Sequence, residues 1–219
     1  MIQFLDVIQG TEEWLDVKLS RFSASNIHRL MGVRGLCQTG LSYIDELICE
    51  VLTGQQQHVS TYAMQRGIEL EPFARNHFSE GIGKVIKTVG CVVNSKYENT
   101  IVSPDGIFYN EKIGVEIKCP EKHVNHKKYL RLFTNNDLKK VAFNYYCQIQ
   151  LSLMVTEYDK WYFVSYHPEF NNYKGVDCRL YALPIYPDYD FFKKMAERIK
   201  EAYEILKNEL KQIINTFKN

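Results

Sequence analysis

Two runs separated by a polar turn constrain this chain more than anything else in it. Thr100-Ile101-Val102 leads through Ser103-Pro104 to Asp105-Gly106, and Gly114-Val115-Glu116-Ile117-Lys118-Cys119-Pro120 follows after Asn110, Glu111 and Lys112. β-Branched and apolar runs that flank a polar turn predict a hairpin. Side chains two apart on a strand share a face, so Glu116 and Lys118 project together while Val115, Ile117 and Cys119 turn the other way. If the hairpin sets Asp105 beside Glu116, two carboxylates and one ammonium share a small pocket. Carboxylates held that close repel each other unless a cation stands between them, and such hard oxygen ligands suit Mg²⁺ or Mn²⁺. Lys118 would then orient or deprotonate a water, or offset charge on a phosphate, as in metal-assisted phosphodiester hydrolysis. The alternative is a surface hairpin carrying an exposed ion pair. Against it stand the apolar runs around these charges, because buried charges pair or bind metal.

Whole-molecule charge does not point to nucleic acid: the 219 residues carry a formal net charge of +1, so a basic surface has to be local. The six cysteines show no metal-ligand spacing, which excludes the usual iron–sulfur and structural zinc patterns. With no signal-peptide pattern at the start, the expectation is reduced thiols in a cytoplasmic or nuclear compartment. No apolar run approaches the ~20 residues of a membrane span.

Along the chain, Glu12–Arg21 reads as a short helix, and Phe22–Gly32 as another with Ser23 or Ser25 as N-cap and Gly32 as its stop. That helix start, with Lys18 and Arg21 near it, would make an anion site. Leu41–Leu52 is helical, a polar loop covers Gln55–Ser60, and a helix is expected from about Thr61 to Phe78. Glu71 precedes Pro72, which predicts a kink or a helix start there. Glu69 and Glu71 lie about 200° apart on a helix and cannot both face one pocket. Lys84–Asn94 is strand-like, His123 and His126 read as exposed, and the cations from Lys122 to Lys140 suggest a phosphate-facing rim. Ala142–Thr156 is an apolar helix interrupted by Gln148 and Gln150. Trp161–Tyr166 and Arg179–Leu183 are strands, and Asp188–Phe217 is an amphipathic helix expected to cover the sheet. The order implies one mixed α/β domain, 1–219, around a single central sheet: a helical part at about 10–80, a sheet at about 84–185 and a closing helix at about 188–217.

Several blocks then carry a resemblance: Trp14 with Phe22-Ser23-Ala24-Ser25, Arg66-Gly67 with Glu71 and Ala74-Arg75, Ser103-Pro104-Asp105-Gly106, Glu116-Ile117-Lys118-Cys119-Pro120, and Gln148-Ile149-Gln150. In this order they resemble the lambda exonuclease and YqaJ-like family of viral recombinase nucleases, in the PD-(D/E)xK nuclease superfamily, over about residues 10–217. The resemblance implies that superfamily's core, a central mixed β-sheet flanked by helices. It also implies a Mg²⁺-dependent 5′→3′ exonuclease on double-stranded DNA ends, with Mn²⁺ as a substitute, that leaves 3′ single-stranded tails. A single-strand annealing protein as partner and a homotrimeric ring are further implications, with no membrane association. By the same resemblance Asp105, Glu116, Ile117 and Glu71 fall on the metal-binding set, Lys118 on the catalytic lysine and Gln148 on the active-site glutamine. Ser25 falls on the 5′-phosphate-contacting serine and Lys18 on the family's phosphate-gripping arginine, with the bidentate fork lost, and Arg21, one helical turn on, is expected to compensate at the 5′ phosphate. A site-specific or structure-selective endonuclease of the same superfamily, and an inactive DNA-binding subunit, are the competing readings.

Overall fold

Residues 113–118 and 160–166 are the two inner strands of a four-stranded sheet, and everything at the centre of the molecule is placed by them. The computed structural model describes residues 1–56, 61–171 and 174–218. In chain order the elements are β1 (Ile2–Leu5), α1 (Glu12–Lys18), β2 (Phe22–Ser23), a 3₁₀ turn (Ile27–Leu30), α2 (Gln38–Thr53), α3 (Tyr62–Ile82), β3 (Cys91–Asn94) and β4 (Thr100–Ile101). There follow β5 (Gly106–Phe108), β6 (Ile113–Lys118), α4 (His123–Tyr129), α5 (Asn135–Val141), α6 (Phe143–Thr156), β7 (Lys160–Tyr166), β8 (Leu180–Ile185) and α7 (Tyr189–Lys218).

The sheet order is β5-β6-β7-β8, with β6 and β7 parallel and both outer pairs antiparallel. A parallel pair cannot close with a tight turn, and α4 to α6 supply the crossover. α3 packs Ala74 and Phe78 on one face of the sheet against Val115, Ile117, Val164 and Tyr166. α6 lies on the other and is buried on nearly every side. Gly114 is required where β6 meets β7. It pairs with Trp161, and a Cβ there would fall 2.3 Å from the indole ring. Gly114→Ala should therefore cost about 1–3 kcal/mol by overpacking, read as a lower urea midpoint; an unchanged midpoint would mean that the buried Trp161 can step aside.

Several expectations are corrected. The hairpin's first arm is Gly106–Phe108, whereas Thr100–Ile101 forms a separate short strand parallel to β2. The sheet is not single, because β1–β3 and β2–β4 make two further two-stranded pairs. Of Lys84–Asn94 only the last four residues form a strand, with an isolated bridge from Lys87 to Ile107. Phe22–Gly32 is not a helix: its start is drawn into β2 and only one 3₁₀ turn follows, preceded by Asn26 without a side-chain cap. Pro72 neither starts nor ends a helix but sits inside α3. α7 packs on α2, α6 and the 3₁₀ turn, so it covers the helical layer and not the sheet. His126 is buried, with Nδ1 2.8 Å from Ser165 Oγ and Nε2 2.8 Å from the Cys178 carbonyl oxygen. The end of the polar loop, 57–60, lies outside the described residues. Among the described residues no helix is long and apolar enough to cross a membrane.

Candidate active site

The hairpin brings the acidic residues together through its register. Gly106 pairs with Val115, so Asp105, one residue earlier, stands across from Glu116. Asp105 Oδ2 accepts the Ile117 backbone N–H at 2.6 Å. Within one strand residue N–H and C=O point to the same side, so the Ile117 carbonyl also faces this edge, beyond the end of β5. Glycine follows Asp105 because a Cβ at Gly106 would fall 2.3 Å from Ile86 Cγ2.

On the other face of β6, Glu116 is 1% exposed and its Oε1 lies 2.6 Å from Lys118 Nζ. This ion pair is the one polar contact of Oε1 among the described residues, and no N–H or O–H donor reaches the atom with hydrogen-bond geometry. Lys118 Nζ also stands 4.8 Å from the centre of the Tyr145 ring on α6. α3 reaches the same point from the opposite side: Glu71 is paired with Arg75, and Arg75 Nε donates to the Asp105 carbonyl at 2.8 Å. Nine residues before Arg75 on the same helix, Arg66 Nη1 donates to the carbonyls of Cys119 at 2.8 Å and Pro120 at 3.0 Å. α3 is thereby fastened to both arms of the hairpin.

Three carboxylates, Glu71, Asp105 and Glu116, face two cations, Arg75 and Lys118. Burial makes the negative excess costly. It pushes the Glu116 carboxyl up to about 8, with the Asp105 charge adding to the effect. Burial and Asp105 likewise lift Glu71 to about 7, against the pull of Arg75 and Lys118. Asp105 is raised by burial too, though Lys118, the Ile117 N–H and Arg75 oppose the shift. For Lys118, burial works against its charge, but Glu116 and Asp105 prevail and the ammonium is held above its ordinary value. Two of the three carboxylates are held by these internal cations, and the three do not bring their oxygens within 4.8 Å of one another. An excess of carboxylate at a partly buried edge, one oxygen held by an ammonium alone and a carbonyl on the same edge fit the donor set of a hard divalent cation.

The remaining sequence-predicted residues are arranged around this centre. Gln148 lies three residues beyond Tyr145 on α6 and so shares its face; it is half-buried, and its amide makes no hydrogen bond among the described residues. The neighbouring Gln150 is structural, its amide bonding the Tyr186 carbonyl at 3.0 Å and the Asp188 N–H at 2.9 Å. Lys18 Nζ sits 3.6 Å over the Trp14 ring, and Trp14 Nε1–H donates to Ser103 Oγ at 3.1 Å, two residues before Asp105. Burial brings the Lys18 ammonium down to about 8. Arg21 lies near enough to Cys91 to act on its thiol, as Lys18 does. Ser25 is exposed, its hydroxyl 3.3 Å from Ser23 Oγ, and the Ala24 N–H bonds the Ile101 carbonyl at 3.1 Å, which runs this segment beside the one ending at Asp105. No helix N-terminus contributes here, contrary to the expectation for Phe22–Gly32. Arg66, Arg75, Trp14, Ser103 and Tyr145 acquire their places only through the fold. Of these contacts, only the i,i+4 spacing of Glu71 and Arg75 is visible in the sequence.

The profile of the YqaJ-like viral recombinase domain matches residues 13–159. Among solved structures, LHK-Exo in complex with dAMP is 27% identical, with 94% of this chain and 97% of that chain covered and a TM-score of 0.79. A further structure of LHK-Exo, an alkaline exonuclease from Laribacter hongkongensis, is 26% identical over the same shares, also with a TM-score of 0.79. A phage-related exonuclease from Haemophilus somnus 129PT, 18% identical over 88% of this chain and 96% of that one, shares the fold with a TM-score of 0.69. No curated relative matches the chain.

Proposed function

The chain belongs to the family of YqaJ-like viral recombinase domains, and from that premise we propose a Mg²⁺-dependent exonuclease that degrades one strand of linear duplex DNA in the 5′→3′ direction. That it is a phage-type nuclease of the PD-(D/E)xK fold follows from the family and from the alkaline exonucleases it resembles. The polarity, the metal and the residue roles are our reading. The observation that carries it is the meeting of Asp105, Glu116, Glu71 and Lys118 at one partly buried, net acidic edge of the sheet.

In this reading Asp105, Glu116, Glu71 and the Ile117 carbonyl are the residues that would hold the divalent ion. The chemistry such an ion supplies is charge neutralisation and Lewis acidity at a phosphate oxygen; Mn²⁺ is the natural substitute. Lys118 is kept protonated by its carboxylate neighbours, so its part is to orient the attacking water and to donate to the phosphate, not to remove a proton. Gln148, on the Lys118 side, supplies an amide for the same water or phosphate. Lys18, Arg21 and Ser25 receive the 5′ phosphate at the end of the duplex, beside Trp14 and Ser103. The product is a 3′ single-stranded tail, the substrate of a single-strand annealing protein, and a homotrimeric ring around the duplex would let the chain follow its track.

The test uses linear blunt duplex DNA with a 5′ phosphate on one end and a 5′ hydroxyl on the other, beside a covalently closed circle, in Mg²⁺ or EDTA. Mg²⁺-dependent loss of the strand with the 5′ phosphate, sparing the circle, is the expected result. Nicking of the circle would indicate an endonuclease, and no cleavage of any substrate an inactive DNA-binding subunit. Lys18→Ala should weaken the preference for the phosphorylated end about tenfold, near 1.4 kcal/mol. An unchanged ratio of initial rates at the two ends would remove Lys18 from the phosphate site.

A further inference from the structure

The parallel pairing of β6 with β7 sets Lys118 beside Ser165, so the segments leaving the two strands run together. His123 begins α4 on one of them, and His167 and Glu169 lie on the other. His123 Nε2 is 2.5 Å from Glu169 Oε2, and the His123 and His167 rings are 4.5 Å apart, centre to centre. One ligating atom from each of His123, His167 and Glu169 lies within 4.8 Å of the others.

His167 makes this more than a surface ion pair. It is 1% exposed, and its Nε2 is buried without a hydrogen-bond partner. Its Nδ1 receives only a long contact from the Glu169 N–H at 3.4 Å, and the Glu121 backbone lies near enough to favour the protonated ring. The turn that carries His167 is held by the backbone, with its N–H on the Arg179 carbonyl at 2.8 Å and its carbonyl accepting from Phe170 N–H at 3.2 Å. His126 is excluded as a ligand because both its nitrogens are engaged, with Ser165 and Cys178. It packs 6.0 Å from the His167 ring and helps to fix it.

We propose that His123, His167 and Glu169 form a second metal site, separate from the carboxylate centre and selective for a borderline transition ion of the Zn²⁺ or Co²⁺ kind. Two imidazoles and one carboxylate suit such ions and not Mg²⁺, and three protein ligands leave the fourth position to water. Ligands of a tetrahedral ion with bonds of about 2.0–2.1 Å stand about 3.3 Å apart, so only His123 and Glu169 need to move. They are the pair with room to do so, their side chains 60% and 67% exposed, while His167 is buried. A bound ion would tie the start of α4 to the turn after β7, just beyond Lys118.

The experiment is equilibrium dialysis of the chelator-stripped full chain against Zn²⁺ with Mg²⁺ in excess, together with Co²⁺ absorption spectra. Wild type should retain one Zn²⁺ under these conditions and show the ligand-field bands of Co²⁺ bound to imidazole. His123→Ala and Glu169→Gln, at exposed positions that leave the core untouched, should each weaken Zn²⁺ retention by about 10- to 100-fold or more and lose the Co²⁺ bands, with Mg²⁺-dependent hydrolysis unchanged. Wild-type binding in both variants, or no Zn²⁺ on wild type, would overturn the proposal.

Discussion

Glu116→Gln is expected to abolish DNA hydrolysis, by on the order of 10³-fold, in a protein that still folds. Glutamine keeps the shape of a side chain that is 1% exposed but gives up the charge. The neutral amide is a poor ligand for a hard divalent ion, and losing several kcal/mol of stabilisation in the transition state corresponds to a rate loss of that size. The fold tolerates the change because the carboxylate is itself held at a cost: its pKa is pushed up to about 8 by burial and by Asp105. Lys118 is not abandoned, since Asp105 still attracts its charge. Single-turnover rates on an end-labelled duplex, with circular dichroism of the variant as control, decide the matter. Activity within tenfold of wild type would remove Glu116 from the chemistry.

The second large effect is a pH-dependent stabilisation by Mg²⁺. Glu116 and Glu71 ionise near 4.5 in the unfolded chain and at about 8 and about 7 in the folded one. Over that interval the folded state holds more protons than the unfolded state, so stability falls as pH rises from about 4.5 to about 8. Lys118 does not blur this window: its folded value lies above 10.5, so the stability it contributes is lost only in stronger alkali. Lys18, lowered to about 8, adds stability from about 8 to 10.5 whether or not metal is present, and cancels in the comparison. Metal binding requires the deprotonated carboxyls, so the gain from Mg²⁺ should be slight at pH 6 and full at pH 9. At a hundred times its dissociation constant an ion adds about 2.7 kcal/mol, or about 5–10 °C in Tm for a domain of this size. A Mg²⁺-induced shift in Tm that is flat from pH 6 to pH 9 would contradict this account of the carboxylate cluster.

What could be read before the fold was known divides by the range of the interactions. Strand alternation placed Glu116 and Lys118 on one face, and helical periodicity marked α2, α3, α6 and α7, because these are local patterns. The family resemblance pointed to the match that residues 13–159 show. Phe22–Gly32 was misread because its serines do suit a helix cap. A two-residue parallel pairing with β4, some eighty residues later, overrides that preference. β1 carries no local signal, since its partner β3 lies roughly ninety residues further along the chain. His126 was read as exposed, yet Ser165 and Cys178, which satisfy both its nitrogens, reach it only through the crossover. His167 and Glu169 carried no signal beside His123, because the parallel strands β6 and β7 are what bring them together.

The ion pairs Arg75–Glu71 and Lys118–Glu116 have a consequence for how such an enzyme waits. In the resting chain two basic side chains act as surrogate counterions, so the acidic edge can be assembled and stored without an ion from outside. On the proposed mechanism a metal entering this edge would have to compete with them, so its binding would follow its free concentration. The guanidinium and ammonium it displaced would then stand beside the scissile phosphate, and the counterions of the resting site would become part of its grip on the substrate.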